Sequence, residues 1–387
     1  RINEGFGVLI RFYDMKIAQI MPNWGDFHPD TALGIIAVAR DVTVGLVKKG
    51  HTVTAFVPDN STFPGIPLVF GGPSLWSRGM NLFHEDSPKE QTAYAKRILG
   101  YLDGYDIVHS HIEHVLLPML DQIGPPVVST IHGAGFYPRE QDIFRRYPKG
   151  VFVALSQRAK ESLSYIHFSY VVYNGMNISE AHFVPVPQSP SYVAWMGRMV
   201  PEKGALDAID AGKRAGKTVV LIGVPQSGDP VYTAAVHALV DGAEVRLIER
   251  MIGIKRFTFL GHAKALLFPI HWEEPFGLIM TDAMATGTPV VAYARGSVPE
   301  VVVDGVTGFI VNSSDNDRRG DWIIKKTGIE GLIEAVNKIY TMSSDNYLKM
   351  RAACRKHVEE KFTVERMVDE YEKVYKKIQS LPLKKML

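Results

Sequence analysis

Cysteine is almost missing. Cys354 is the only one in 387 residues, so no internal disulfide can form, and a lone thiol suits a reducing compartment such as the cytoplasm. Net charge is almost missing too. The 43 basic and 41 acidic side chains leave +2 at neutral pH, which gives no electrostatic case for a nucleic-acid partner. No apolar run approaches the roughly 18 residues of a membrane span, and Phe6–Ile10 is too short for a secretory signal, with Arg11 directly behind it. Solenoid-type repeats are absent. So is a GxGxxG turn after the first strand with an acid at the right distance, which removes the main argument for a dinucleotide-dependent oxidoreductase. What is present is ordinary globular material, 46% hydrophobic and 22% charged, long enough for two domains.

The densest chemistry lies in His271–Val291, HWEEPFGLIMTDAMATGTPVV. Ala265–Pro269 before it is a short apolar run of buried-strand type, and Val290–Tyr293 after it is another. Glu274 precedes Pro275, and proline favours a first helical position, so a helix is expected from there to Ala285, stopped at Thr286-Gly287. The amides of Phe276, Gly277 and Leu278 would then lack intrahelical partners and form an anion site. On such a helix Glu274 and Asp282 would stand roughly 12 Å apart. One carboxylate at each end of an elongated ligand, with phosphate between, is the outline of a sugar nucleotide.

Elsewhere the chain alternates strand and helix. Lys16–Met21 is the first strand of a doubly wound opening, followed by a loop, a helix from about Gly34 to Lys49 and a strand at Thr52–Val57. Residues 58–87 are expected to be a long loop over one mouth of the sheet. Asp106–Ser110 is a strand whose end carries His109 and His111. No third ligand stands at suitable spacing for a metal. His132 follows the strand Val127–Ile131, at the carboxyl end where such sheets bind ligands. Residues 183–191 hold three prolines and are the expected linker. Gly197 then allows a close backbone approach, and Arg198 and Lys203 reach toward one diphosphate. Phe257–Gly261, FTFLG, runs almost directly into the apolar run AKALLFP. Asp315 and Asp317 lie in a polar stretch taken as surface, away from the site.

EPFGLIMTDAMATGTPVVA followed by GSVPEVVVDGVTGFIV resembles the signature of the retaining GT-B glycosyltransferases of family four, and GRMVPEKG resembles the same family's phosphate motif. The resemblance implies two Rossmann-like doubly wound domains facing across a cleft: an acceptor domain at 15–184 and a nucleotide-sugar domain at 185–362, with a final helix at about 363–380 packing back on the first. It implies a hexosyl transfer with retention, from a UDP- or GDP-sugar to a small-molecule, glycan or lipid-linked acceptor, with no cofactor and no metal. Catalytic roles fall on His132, Arg198, Lys203 and Glu274. Donor contacts fall on Gly34, Gly197, Phe276, Gly277, Leu278 and Asp282. Three departures stand out. Leu33 replaces the first glycine of the family's pair, Asp282 replaces a glutamate, and the family's helix between FTFLG and AKALLFP is missing from this reading. They leave open a catalytically silent sugar-nucleotide-binding homologue. The basic tail Lys373–Leu387 is compatible with weak contact to anionic lipid, and a solvated face is the plainer reading.

Overall fold

The computed structural model describes residues 14–29, 34–81, 84–133, 138–148, 150–187, 189–225, 229–249, 251 and 253–380. The expectations for residues 1–13, Leu33 and 381–387 fall outside these. Two parallel sheets carry the molecule. The first holds β1 (Lys16–Ile20), β2 (Thr52–Val57), β3 (Leu68–Phe70), β4 (Ile107–Ser110), β5 (Val127–Ile131), β6 (Val151–Ala154) and β7 (Phe168–Val171), in the order 3-2-1-4-5-6-7. The second holds β8 (Val193–Met199), β9 (Val219–Pro225), β10 (Val245–Glu249), β11 (Ala265–Phe268), β12 (Val290–Tyr293) and β13 (Gly308–Val311), in the order 10-9-8-11-12-13. Both orders reverse beside their first strand, the switch point where doubly wound sheets bind ligands. The inner strands ALLF and VVAY, and GFIV at the edge, are buried along their whole length, as a parallel sheet covered on both faces requires.

Helices cover the sheets. In the first half these are α1 (Gly34–Lys48), α2 (Ser87–Ile98), α3 (Pro138–Arg146) and α4 (Gln157–Ser162). In the second they are α5 (Ala205–Arg214), α6 (Pro230–Ala238), α7 (Lys255–His262), α8 (Leu278–Ala285), α9 (Val298–Val301), α10 (Gly328–Tyr340) and α11 (Ser344–Lys361). The last helix, α12 (Val364–Gln379), returns to the first sheet. Its buried Met367, Val368, Tyr371, Val374, Tyr375 and Ile378 recur at helical spacing and join Met15, Ile17, Val38, Val42 and Ile107 in one core. Gly45 of α1 makes the close crossing possible, since a Cβ there would lie 2.3 Å from a Val368 methyl.

Three local readings are corrected. FTFLG belongs to helix α7. Its apolar residues line one helical face, which over a few residues looks like a buried strand, so the helix expected before β11 is present. The helix after EPFG starts at Leu278. Gly277 caps it at φ +79°, a left-handed conformation that favours glycine, and a Cβ there would meet Met280 at 2.6 Å. Glu274 therefore sits on an irregular loop, and the 12 Å helical spacing to Asp282 does not apply. Residues 58–87 are not a plain loop: they include edge strand β3 and a short 3₁₀ turn, Trp76–Arg78.

The two crossings between the halves lie side by side. Met176 donates its amide to Phe362 O (2.9 Å) and accepts from Val364 N (3.2 Å). Arg351 of α11 is fully buried and donates to the carbonyls of Val184, Gly261 and Ala263. Those oxygens, rather than a carboxylate, satisfy its donors, which tie the linker to the second half.

Candidate active site

The carboxyl ends of both sheets open into a cleft of about 620 Å³, within the range of small-molecule sites. All ten residues singled out in the sequence line it: Gly34, His132, Gly197, Arg198, Lys203, Glu274, Phe276, Gly277, Leu278 and Asp282. Gly34 begins α1 and His132 follows β5, on the first-domain wall. The others come from β8, the turn behind it, the EPFG loop and α8.

The EPFG loop is held from several sides. Ser297 donates its amide to Glu274 O (2.9 Å) and its hydroxyl to Phe276 O (2.6 Å). Glu274 Oε2 accepts from Lys203 Nζ (2.5 Å) and Trp272 Nε1 (2.9 Å). The Lys203 ammonium also lies 4.6 Å from the centre of the Trp272 ring, a cation–π arrangement. Trp195 Nε1 donates to Lys203 O (2.9 Å), which fixes the short turn that carries the lysine. Arg198 is looser: Glu202 is 3.9 Å away and about a third of the side chain is exposed. A cation of this kind is available to an incoming anion. The amides of Gly277 and Leu278 precede the first intrahelical bonds of α8 and add partial positive charge beside it.

Asp282 brings a partner that sequence reading missed. Arg256 of α7 donates through Nε to Asp282 Oδ2 (2.9 Å), lies 4.1 Å from the Phe257 ring centre and lines the cleft. Burial raises the Asp282 pKa while Arg256 pulls it down. Across the cleft, burial pushes the Asp41 carboxyl of α1 up to about 6 against the opposing pull of Arg40. His132 is held by His111, with Nε2 3.0 Å from His111 Nδ1. Burial lowers its pKa to about 3, so the ring is neutral at pH 7.

Asp317 is a correction. Its carboxylate accepts from Ser313, Arg295 and Arg319, and both arginines reach Glu273, next to Glu274. It therefore braces the site loop instead of lying apart from it, while Asp315 stays exposed beside Arg318. Among the described residues no three His, Cys, Asp or Glu side chains gather as a metal cluster. His109 and His111 do come together, with rings 4.1 Å apart, but both are engaged in a buried hydrogen-bond network.

The family model described as Glycosyltransferase Family 4 matches residues 34–180, and that described as Glycosyl transferases group 1 matches 179–359. A D-inositol 3-phosphate glycosyltransferase of Mycolicibacterium smegmatis is 32% identical over 354 residues, covering 78% of each chain. The chain belongs to the group 1 glycosyltransferases, family four. A glycogen synthase of Mycobacterium tuberculosis is 28% identical over 231 residues, 52% of this chain and 55% of its own. The chain thus spans only about half the length of that relative. Among solved structures, the sucrose-phosphate synthase of Thermosynechococcus elongatus superposes with a TM-score of 0.77 at 17% identity, over 94% of this chain and 99% of its own. HepE of Anabaena, in complex with UDP and glucose, gives 0.70 at 16% identity, over 94% and 100%. At such identities these matches speak for the fold: two Rossmann-like domains of the GT-B type facing across the cleft. No helix among the described residues is long and apolar enough to cross a membrane.

Proposed function

We propose that this group 1 glycosyltransferase moves a hexosyl group from a nucleoside-diphosphate sugar to an acceptor with retention at the anomeric carbon, and that it needs no metal. The observation that carries the reading is the meeting of Arg198, Lys203 and the α8 amides with Glu274 in one cleft. The barrier lies in breaking the bond to the diphosphate. Preorganised cations and amides stabilise the charge growing on that leaving group, which is the role a divalent cation plays elsewhere. Arg198 and Lys203 hold the diphosphate, and Glu274 holds donor-sugar hydroxyls from one side while His132 faces them from the other. Asp282 takes the ribose, once Arg256 yields part of its hold. The leaving phosphate accepts the acceptor's proton, since no general base stands out among these residues.

UDP- and GDP-sugars are the first donors to try, with ADP-sugars as the third arm. The acceptor is a small molecule, a glycan or a lipid-linked sugar. D-inositol 3-phosphate is the first to test, because a relative named for it matches this chain over 78% of its length. The test is a thermal-shift screen of the three nucleotide classes, then turnover of the radiolabelled donor with and without EDTA. Turnover that survives EDTA is expected. Loss with EDTA and recovery with Mg²⁺ or Mn²⁺ would overturn the metal-free reading. Binding without any turnover would instead favour a silent homologue.

A further inference from the structure

His132 does not stand alone on its wall. Behind it a chain of buried side chains runs to the returning helix α12. His132 Nε2 meets His111 Nδ1 (3.0 Å), and His111 Nε2 meets Gln19 Oε1 (3.1 Å). The amide end of Gln19 faces His109 Nδ1 (3.3 Å) and Tyr375 Oη (3.4 Å). Tyr375 Oη lies 2.7 Å from His109 Nδ1, His109 Nε2 lies 2.8 Å from Thr130 Oγ1, and Thr130 Oγ1 lies 2.9 Å from Tyr371 Oη. Gln19, His109, His111, Thr130, Tyr371 and Tyr375 are sealed from solvent.

A neutral imidazole has one N–H and one bare nitrogen, so each contact fixes the sense of the next. The carbonyl oxygen of Gln19 only accepts, which puts the His111 proton on Nε2. His111 Nδ1 is then bare and must accept, which puts the His132 proton on Nε2. Burial lowers the pKa of His109 and His132 to about 3 and that of His111 well below the usual value, so no second proton blurs the pattern. The remaining nitrogen, His132 Nδ1, has no hydrogen-bond partner among the described residues, and His132 lines the cleft.

We propose that Gln19 and His111 are positioning residues that hold His132 with Nδ1 unprotonated, so that the cleft offers a neutral acceptor to a hydroxyl of the donor sugar. This rests on the glycosyl-transfer reading and narrows it. Where that hydroxyl is the one on C6, which a uronate replaces with a carboxylate, the bare nitrogen welcomes the hydroxyl and repels the charge, so a neutral sugar is preferred to a uronate.

Long-range ¹⁵N–¹H spectra of the full chain with ring-labelled histidine test the tautomer directly, His132→Asn assigning the signal. The expected result at pH 7 is protonated Nε2 and bare Nδ1. Gln19→Leu should turn that single form into a mixture. Gln19→Glu keeps an acceptor toward His111 and should preserve it. In kinetics Gln19→Leu should lower kcat about tenfold, the worth of one lost hydrogen bond, with the Kd for UDP unchanged. Wild type should use UDP-glucose in preference to UDP-glucuronate. A wild-type His132 carrying its proton on Nδ1 would overturn the proposal. So would a Gln19→Leu variant with the tautomer and kcat of wild type. If Gln19→Leu does not fold, the wild-type and Gln19→Glu spectra decide. Wild type with no turnover of any sugar nucleotide would sink the glycosyl-transfer reading, while the spectrum still decides the tautomer.

Discussion

Lys203 and Asp282 should fail in different ways. In the proposed reaction Lys203 would grip a diphosphate whose charge grows in the transition state, so Lys203→Ala, like Arg198→Ala, should cut kcat by about 10² or more with the fold intact. Asp282, on the same proposal, would contact a ribose that is the same in ground and transition states. Its loss should raise the donor KM by on the order of tenfold to a hundredfold, the worth of a charged hydrogen bond, and change kcat less. Calorimetry with turnover on the same variants separates the two; a wild-type donor affinity in Asp282→Ala would remove the ribose assignment. The buried histidines predict a pH effect on stability. Their folded pKa values are depressed, so between the usual histidine value near 6.5 and about 3 the unfolded chain binds more protons. Stability is complete above that window and falls with pH through it. Melting temperature should drop from pH 6.5 toward 4, less steeply in His111→Gln; an equal slope in the variant would show that carboxylates alone set it. Gln19 had a signal in the sequence, a lone amide inside the apolar strand KIAQI. Arg256 had none, because its partner lies 26 residues on, in another helix.

At the level of elements, motif strings were legible and boundaries were not. EPFG named its own loop, but a left-handed glycine decides where α8 starts, and φ is not written in a residue's hydropathy. FTFLG is too short for its period to separate helix from strand. Contacts between domains were also invisible. Glu300 on α9 accepts from the first free amides of α4, Gln157 N (2.9 Å) and Arg158 N (2.7 Å), and from the Tyr173 hydroxyl (2.6 Å). A carboxylate from the second domain thus caps a helix of the first, adding dipole attraction to three hydrogen bonds. Glu300→Ala should loosen this contact between the domains and widen the cleft. Small-angle scattering of the free chain should then show a larger radius of gyration than wild type, with the donor KM raised severalfold. Unchanged scattering and KM would make Glu300 a local cap only.

For the whole molecule, the strand–helix rhythm made the two-sheet plan readable, and the amphipathic spacing from Met367 to Ile378 pointed to a last helix with a face to bury. How tightly it packs is set by Gly45, more than 300 residues away, and is legible only in three dimensions. Burying six large side chains of α12 contributes on the order of 10 kcal/mol, comparable to the whole stability of an ordinary domain. A chain ended after Thr363 should therefore lose the first domain and keep the second. Limited proteolysis should digest it up to the linker and leave a resistant fragment from about residue 185. Protection of residues 14–184 in that truncated chain would show that α12 is dispensable.

The return of α12 also orders events during synthesis. The strands and first helices of the first domain leave the ribosome early, but the wall their core needs, α12, follows the second domain. At about 5–20 residues per second, the 195 residues between Val184 and Gln379 take roughly 10 to 40 s. For that interval the first sheet has an open apolar face, and the second domain, ending with α11, is complete before α12 emerges. The half of the protein translated first is thus the half that finishes second, and a nascent chain is most exposed to aggregation or chaperone capture there.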